Sequence, residues 1–163
     1  YNLEEGLKKI NCATQRQRGL HSFVELMVTK NNDSTIIHLA QDAPYRIEPL
    51  KQFPEYPTLN VDSLSDIAAN KLLALFGRAA LRDFIDVYFL INKKYVDSKE
   101  MVSNAKQKDP GFDLYWLGVA LERINTFKDG SSEMLLLLEK VDYSQMLSFF
   151  NQWREKITKE LMQ

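Results

Sequence analysis

At 163 residues, with 45% hydrophobic and 11% aromatic side chains, the chain can bury about 70% of its unfolded surface, which excludes a disordered segment. Its formal net charge of −1 excludes attraction of the whole molecule to nucleic acid or membrane, so any such claim rests on local patches. A single cysteine, Cys12, excludes an internal disulfide framework, and no apolar run approaches the roughly 20 residues that span a bilayer; together these predict a reducing, cytoplasmic setting with no membrane partner.

The elements follow in chain order. Residues 2–10 predict a helix capped by Asn2, with Glu4 and Glu5 in its first turn and Lys8 and Lys9 near its end, an order that complements the helix dipole. Residues 23–29 and 34–41 are apolar and β-branched, and Asn31-Asn32-Asp33 between them predicts a β-hairpin. On its second strand Ile36, His38 and Ala40 share one face, and Thr35, Ile37 and Leu39 the other. Four prolines between Pro44 and Pro57 predict an extended surface connector, and a short strand is expected at Leu59–Val61. From Ser65 onward the pattern is helical. Ser63 or Ser65 caps a helix carrying Lys71, a second helix runs from about Ala80 to Asn92, and Ser98 caps a third. Asp109-Pro110-Gly111 is a turn, after which Asp113 caps a helix with Tyr115, Leu117, Leu121 and Ile124 as its apolar stripe. A helical stretch at 133–140, with the run Met134–Leu138 as a core segment, and a last helix at about 143–161 complete the chain. The fold class is α+β. A partial α+β lobe at 1–61, built on the hairpin 23–41, precedes a helical C-terminal lobe at 62–163.

The chemistry concentrates at residues 66–90, DIAANKLLALFGRAALRDFIDVYFL. On one continuous helix Lys71, Leu75, Arg78, Arg82 and Asp86 would share an arc of about 80°, with Asp83 beside it. Gly77-Arg78 is read as a break, so two helices are expected instead. Lysine and arginine on one surface attract phosphates, and Asp83 and Asp86 can orient those cations or act as acid–base or metal groups. The same residues would equally serve as an internal salt-bridge network joining two helices.

This segment closely resembles the signature of the AbiEii/AbiGii-type nucleotidyltransferase toxins, in which a lysine on an apolar helix is followed by an Arg-Asp-x-x-Asp run. IIHLAQDAPYRI at 36–47 resembles that family's central strand and following turn. DPGFDLYWLGVALERINTF at 109–127 and EKVDYSQMLSFF at 139–150 resemble its helical C-terminal half. The resemblance implies a remnant of a nucleotidyltransferase-like mixed sheet joined to a helical lobe. It further implies Mg²⁺-dependent transfer of a nucleotide from a nucleoside triphosphate, with tRNA or another RNA as acceptor in some members. The biological setting it implies is a toxin–antitoxin or abortive-infection system with a cognate antitoxin. By the same resemblance Lys71, Asp83 and Asp86 are the catalytic residues, and Lys71, Arg78 and Arg82 hold phosphate.

Two departures from the family pattern stand out. The family's Gly-Ser turn and Asp-x-Asp strand, which supply its principal metal ligands, are not found in this chain, whose first residues resemble the helix that follows them. This polypeptide alone is therefore expected to be inactive. His38 stands where the family's central strand commonly carries an acid, and imidazole is a poor Mg²⁺ ligand. That leaves Asp42 as the candidate metal residue, or as a plain turn residue before Ala43-Pro44. The alternative to a transferase is a degenerate relative that binds a protein or RNA.

Three further features have two readings each. Lys8, Lys9, Arg16 and Arg18 form a basic cluster that either approaches RNA or is a solvated face. Tyr115 and Trp116 either stack on a base or pack in the helical lobe. Met146, Phe149, Phe150 and Trp153 form a stripe that is either core or a partner surface.

Overall fold

The computed structural model describes residues 3–41, 45–135 and 137–163. The fold is α+β, as the sequence predicts, and it divides into two compact units, Tyr1–Pro44 and Tyr45–Gln163. Asn2, Asp42 and Pro44 lie outside the described residues.

In the first unit, helix α1 (Leu3–Lys9) precedes strands β1 (Ala13–Leu20), β2 (Phe23–Lys30) and β3 (Asp33–Ala40), which form an antiparallel sheet in that order. The expected hairpin is β2–β3. Asp33 pairs with Lys30 instead of lying in the loop, which leaves Asn31-Asn32 as a two-residue turn. Asn31 has φ 55°, a left-handed conformation that asparagine tolerates and short hairpin turns require. Strand β1 was not foreseen: ATQRQRGL has little β-branched or aromatic content and is almost wholly exposed, so it pairs through its backbone against the apolar β2. Leu26 and Val28, two residues apart on β2, are the buried positions among the described residues of this unit. Helix α1 is fastened to β1 by a bidentate pair, Arg16 to Glu4 at 2.7 and 3.0 Å, which gives one member of the basic cluster a structural use.

The second unit opens with a hairpin, β4 (Lys51–Phe53) and β5 (Tyr56–Val61), where a plain connector was expected; Pro54-Glu55 form its turn, and proline is tolerated because the ladder is short and exposed. Helices α2 (Leu64–Arg78), α3 (Leu81–Asn92), α4 (Ser98–Lys108), α5 (Leu114–Glu122), α6 (Ser132–Leu135) and α7 (Tyr143–Leu161) follow, with a 3-10 turn at Arg123–Thr126 after α5. Ser63 caps α2 and Asp113 caps α5, as read from the sequence. Asp97, not Ser98, caps α4, because its carboxylate reaches the amides of Lys99 and Glu100.

The core lies among α2, α3, α4, α5 and α7. Leu72, Leu75, Phe84, Val87, Met101, Leu117, Leu121, Ile124, Met146 and Phe150 are buried there. The α7 stripe is thus core, with Phe150 edge-on to Phe84 at 4.9 Å between ring centroids. Two expectations fail. Tyr115 and Trp116 do not pack in the lobe: they are 58% and 59% exposed and touch each other edge-on. The segment 133–140 is not one helix either. Met134 and Leu137 pack against the core, whereas Leu138 is fully exposed in a bend after α6.

One buried ionic node joins four parts of this unit. Asp66, in the first turn of α2, is fully buried. Its carboxylate accepts hydrogen bonds from Lys108 Nζ at 2.7 Å, Ser63 Oγ at 2.7 Å, and the amides of Ile47 and Glu48 at 3.0 and 3.1 Å. Lys108, at the end of α4, is itself only 4% exposed on its side chain. Burial pushes the Asp66 carboxyl up, but Lys108, the two amides and Ser63 together outweigh it and hold it well below the usual carboxylate range.

The sign of the pH dependence follows: stabilisation from Asp66 is complete above its unfolded value near 4 and is lost as pH falls toward the lower folded value. Asp66→Asn should destabilise the protein by about 3 kcal/mol, because it leaves the Lys108 charge buried and unpaired. Urea unfolding at neutral pH measures this loss. The same variant should show a flatter loss of stability with acid than the parent chain.

Candidate functional site

The charged motif is carried by α2 and α3. The break between them falls at Ala79, not at Gly77, which is helical and exposed. Ala79 adopts φ 46° and ψ 48°, and its amide closes the helix on the carbonyl of Leu75 at 2.9 Å. Left-handed alanine costs about 1–2 kcal/mol. Burial of its methyl group, 2% exposed and part of the core, recovers about 0.8 kcal/mol of that cost.

Helix α3 doubles back along α2, so the motif residues meet as two ion pairs of different character. In the first, Arg78 grips Asp83 with Nε at 2.8 Å and Nη2 at 2.6 Å, while the amide of Ala80 donates to the same carboxylate at 3.1 Å. The Asp83 side chain is 1% exposed and that of Arg78 is 53% exposed. Burial pushes the Asp83 carboxyl up, but hydrogen bonds from Arg78 and Ala80, with the Arg82 charge nearby, bring it down overall. This is a fold-holding contact across the α2–α3 break: it caps α3 and ties its first turn to the last residue of α2.

In the second pair, Lys71 Nζ donates to Asp86 Oδ2 at 2.7 Å, and the side chains are 44% and 40% exposed. Both heads therefore face solvent, with one carboxylate oxygen and two ammonium donors not engaged by this bond. Arg78 feels the charge of Asp86 as well as that of Asp83, and both pairs join α2 to α3. Arg82 is exposed and makes no hydrogen bond among the described residues. The structure thus brings Lys71, Arg78, Arg82, Asp83 and Asp86 together, and it contains the salt-bridge network that was one of the two readings.

Among the described residues no group of three or more histidine, cysteine or acidic side chains could hold a metal ion. The chemistry of the pairs agrees. Asp83 has its oxygens engaged by Arg78 and Ala80, and Asp86 shares one oxygen with a lysine ammonium, so these two carboxylates do not fit an Mg²⁺ ligand set. His38 instead bonds Glu25 of the neighbouring strand at 3.0 Å, the residue directly opposite it in the ladder. No helix of the described residues is long and apolar enough to cross a membrane.

Sequence reasoning missed two contributors near this surface. Asp66 fixes the first turn of the helix that carries Lys71; its signal was the Ser-x-x-Asp capping spacing from Ser63. Arg123, after α5, donates from Nη1 to the carbonyl of Arg78 at 3.3 Å, a contact across 45 residues that no local pattern announces.

The two acidic positions should separate in stability measurements. Asp83→Asn should cost about 2–3 kcal/mol, as expected when one partner of a buried, hydrogen-bonded charge is removed. Asp86→Asn, at a half-exposed pair, should change stability by less than about 1 kcal/mol. Thermal or urea unfolding of both variants at neutral pH tests the difference.

Comparison with models of protein families matches residues 34–158 to the nucleotidyl transferase AbiEii toxin family of type IV toxin–antitoxin systems. No curated protein and no solved structure was found to match. The matched range contains β3 apart from its first residue, the α2–α3 charged surface and most of α7. On that match, and with the motif residues meeting on one surface, the chain belongs to the AbiEii nucleotidyl transferase toxin family.

Proposed function

We propose that the α2–α3 surface is the helical half of a nucleotide site, and that the protein transfers a nucleotide from a nucleoside triphosphate to an acceptor as the toxin of a toxin–antitoxin pair. The observation that carries this reading is the half-exposed Lys71–Asp86 pair beside Arg78 and Arg82. A buried pair serving only the fold would not leave its donors in water. In this reading two ammonium protons of Lys71 take phosphate oxygens, and Arg82 and the outer edge of Arg78 take others. The free oxygen of Asp86 accepts the proton of the attacking hydroxyl as its oxygen bonds to the α-phosphorus, the α–β phosphoanhydride breaks and pyrophosphate leaves. Asp83 acts through Arg78, which it positions, rather than by touching the substrate. RNA is the proposed acceptor class, and a cognate antitoxin the proposed protein partner. The Mg²⁺ implied by the family resemblance would need carboxylates other than Asp83 and Asp86, with Asp42 as the candidate in this sequence; loss of transfer on addition of EDTA would support that requirement.

A second reading has one specific observation in its favour. Asp83 is engaged by Arg78 and Ala80, Asp86 is paired with Lys71, and among the described residues no group of three or more histidine, cysteine or acidic side chains could hold a metal ion. A degenerate relative that binds RNA or a protein without transferring a nucleotide is consistent with this. Incubation with each nucleoside triphosphate, labelled at the α-phosphate, and total RNA separates the two readings by whether label enters the RNA.

Lys71→Ala in the intact protein should lower that transfer by at least about a hundredfold, the scale seen when a transition-state contact is removed, with the melting temperature little changed. Undiminished transfer by this variant would remove Lys71 from the mechanism. No transfer by the parent protein, with RNA binding intact, would favour the binding module.

A further inference from the structure

Beside the Lys71–Asp86 pair, the tip of the α2–α3 hairpin collects three guanidinium groups around one carboxylate and one carbonyl. Arg78 spends Nε and Nη2 on Asp83. Arg123 spends one donor on the Arg78 carbonyl, which anchors it at the C-terminal end of α2. Arg82, adjacent in chain to Asp83, adds its charge there and spends no donor on a hydrogen bond among the described residues. Each guanidinium has five donors, so most of the donor capacity of this corner faces water. These three cations and Lys71 outnumber the two carboxylates of the same surface, Asp83 and Asp86, on a chain whose net charge is −1. The helix dipole accounts for one or two basic groups at the end of α2. It does not account for Arg82, which sits in the first turn of α3, where a positive charge is unfavourable.

We propose that Arg123 joins Arg82 and the outer edge of Arg78, which the nucleotide-site reading already gives to phosphate, in one phosphate subsite displaced along α2 from the position held by Lys71. Lys71 and Arg78 are seven residues apart on α2, about 10 Å along the helix axis, so the corner takes a different phosphate group from the one at Lys71. Guanidinium groups suit this role because they grip phosphate oxygens in pairs. The phosphate arrives either in the polyphosphate tail of a nucleotide or in the backbone of a nucleic-acid acceptor. The inference rests on the nucleotide-site reading for its biological meaning. The binding measurement itself does not require transfer to occur.

The test uses the full chain and its Arg123→Gln, Arg82→Gln and Arg123→Lys variants, with ATP, inorganic triphosphate and a short single-stranded oligoribonucleotide as separate probes. Arg123→Gln and Arg82→Gln should each weaken binding of the responding probe about fivefold or more, and Arg123→Lys should retain more binding than Arg123→Gln. If the backbone of RNA is the occupant, the oligoribonucleotide alone responds, and the slope of log affinity against log salt falls by about 0.7 per arginine removed. If the nucleotide tail is the occupant, ATP and inorganic triphosphate respond instead. A lowered melting temperature for Arg123→Gln, with all three affinities unchanged, would show that Arg123 only closes α2 and would overturn the proposal. Loss of transfer in Lys71→Ala leaves these outcomes unaffected, and absence of transfer in the parent chain does not predict them, so the two ideas fail separately.

Discussion

A carboxylate withdrawn from water at the start of α2 is the constraint on which the helical unit depends. Asp66 loses hydration that would be worth several kcal/mol, and the fold replaces it with a lysine ammonium, a serine hydroxyl and two amides. Those partners come from the connector at Ile47-Glu48, the cap of α2 and the end of α4. No apolar contact could demand so particular an arrangement. Lys71 lies five residues further along the same helix, about 7–8 Å from Asp66 by helical rise. The placement of the charged surface is therefore inherited from a node that has no part in its chemistry.

Two aspartates three residues apart in one motif divide their work by burial. Asp83 points into the joint between α2 and α3 and is saturated by Arg78 and Ala80. Asp86, nearly one helical turn later, stays at the surface with Lys71. The same side chain is thus a fixed strut in one place and an available acceptor in the other. The salt-bridge network is present, and one of its two pairs remains open to solvent, as the proposed phosphate site requires.

Much of this was legible from residue patterns. The hairpin at 23–41, the caps at Ser63 and Asp113 and the apolar stripe of α7 all follow from periodicity and capping chemistry, which act over a few residues. What escaped the sequence depends on distant partners. Strand β1 has weak β-propensity and exists because β2 offers it a ladder. The β4–β5 hairpin hides in a proline-rich stretch that reads as unpaired. The Asp66–Lys108 and Arg123–Arg78 contacts join residues 42 and 45 positions apart, beyond any local pattern. Glycine is the usual sign of a helix end, and Gly77 drew the break two residues too early because the left-handed residue here is an alanine, Ala79, whose methyl group is buried in the core.

That alanine has a consequence for how the protein tolerates change. Larger side chains would meet both the left-handed backbone and a filled core, and glycine would give up the buried methyl that holds the turn in place. Since α3 returns along α2 only through this joint, the spacing of Lys71 from Asp86 is set by the dihedral angles of a residue with no functional group. In a scan of all substitutions scored by activity, side chains larger than alanine at position 79 would fail as changes at a residue that touches substrate do, and for a reason invisible in its chemistry.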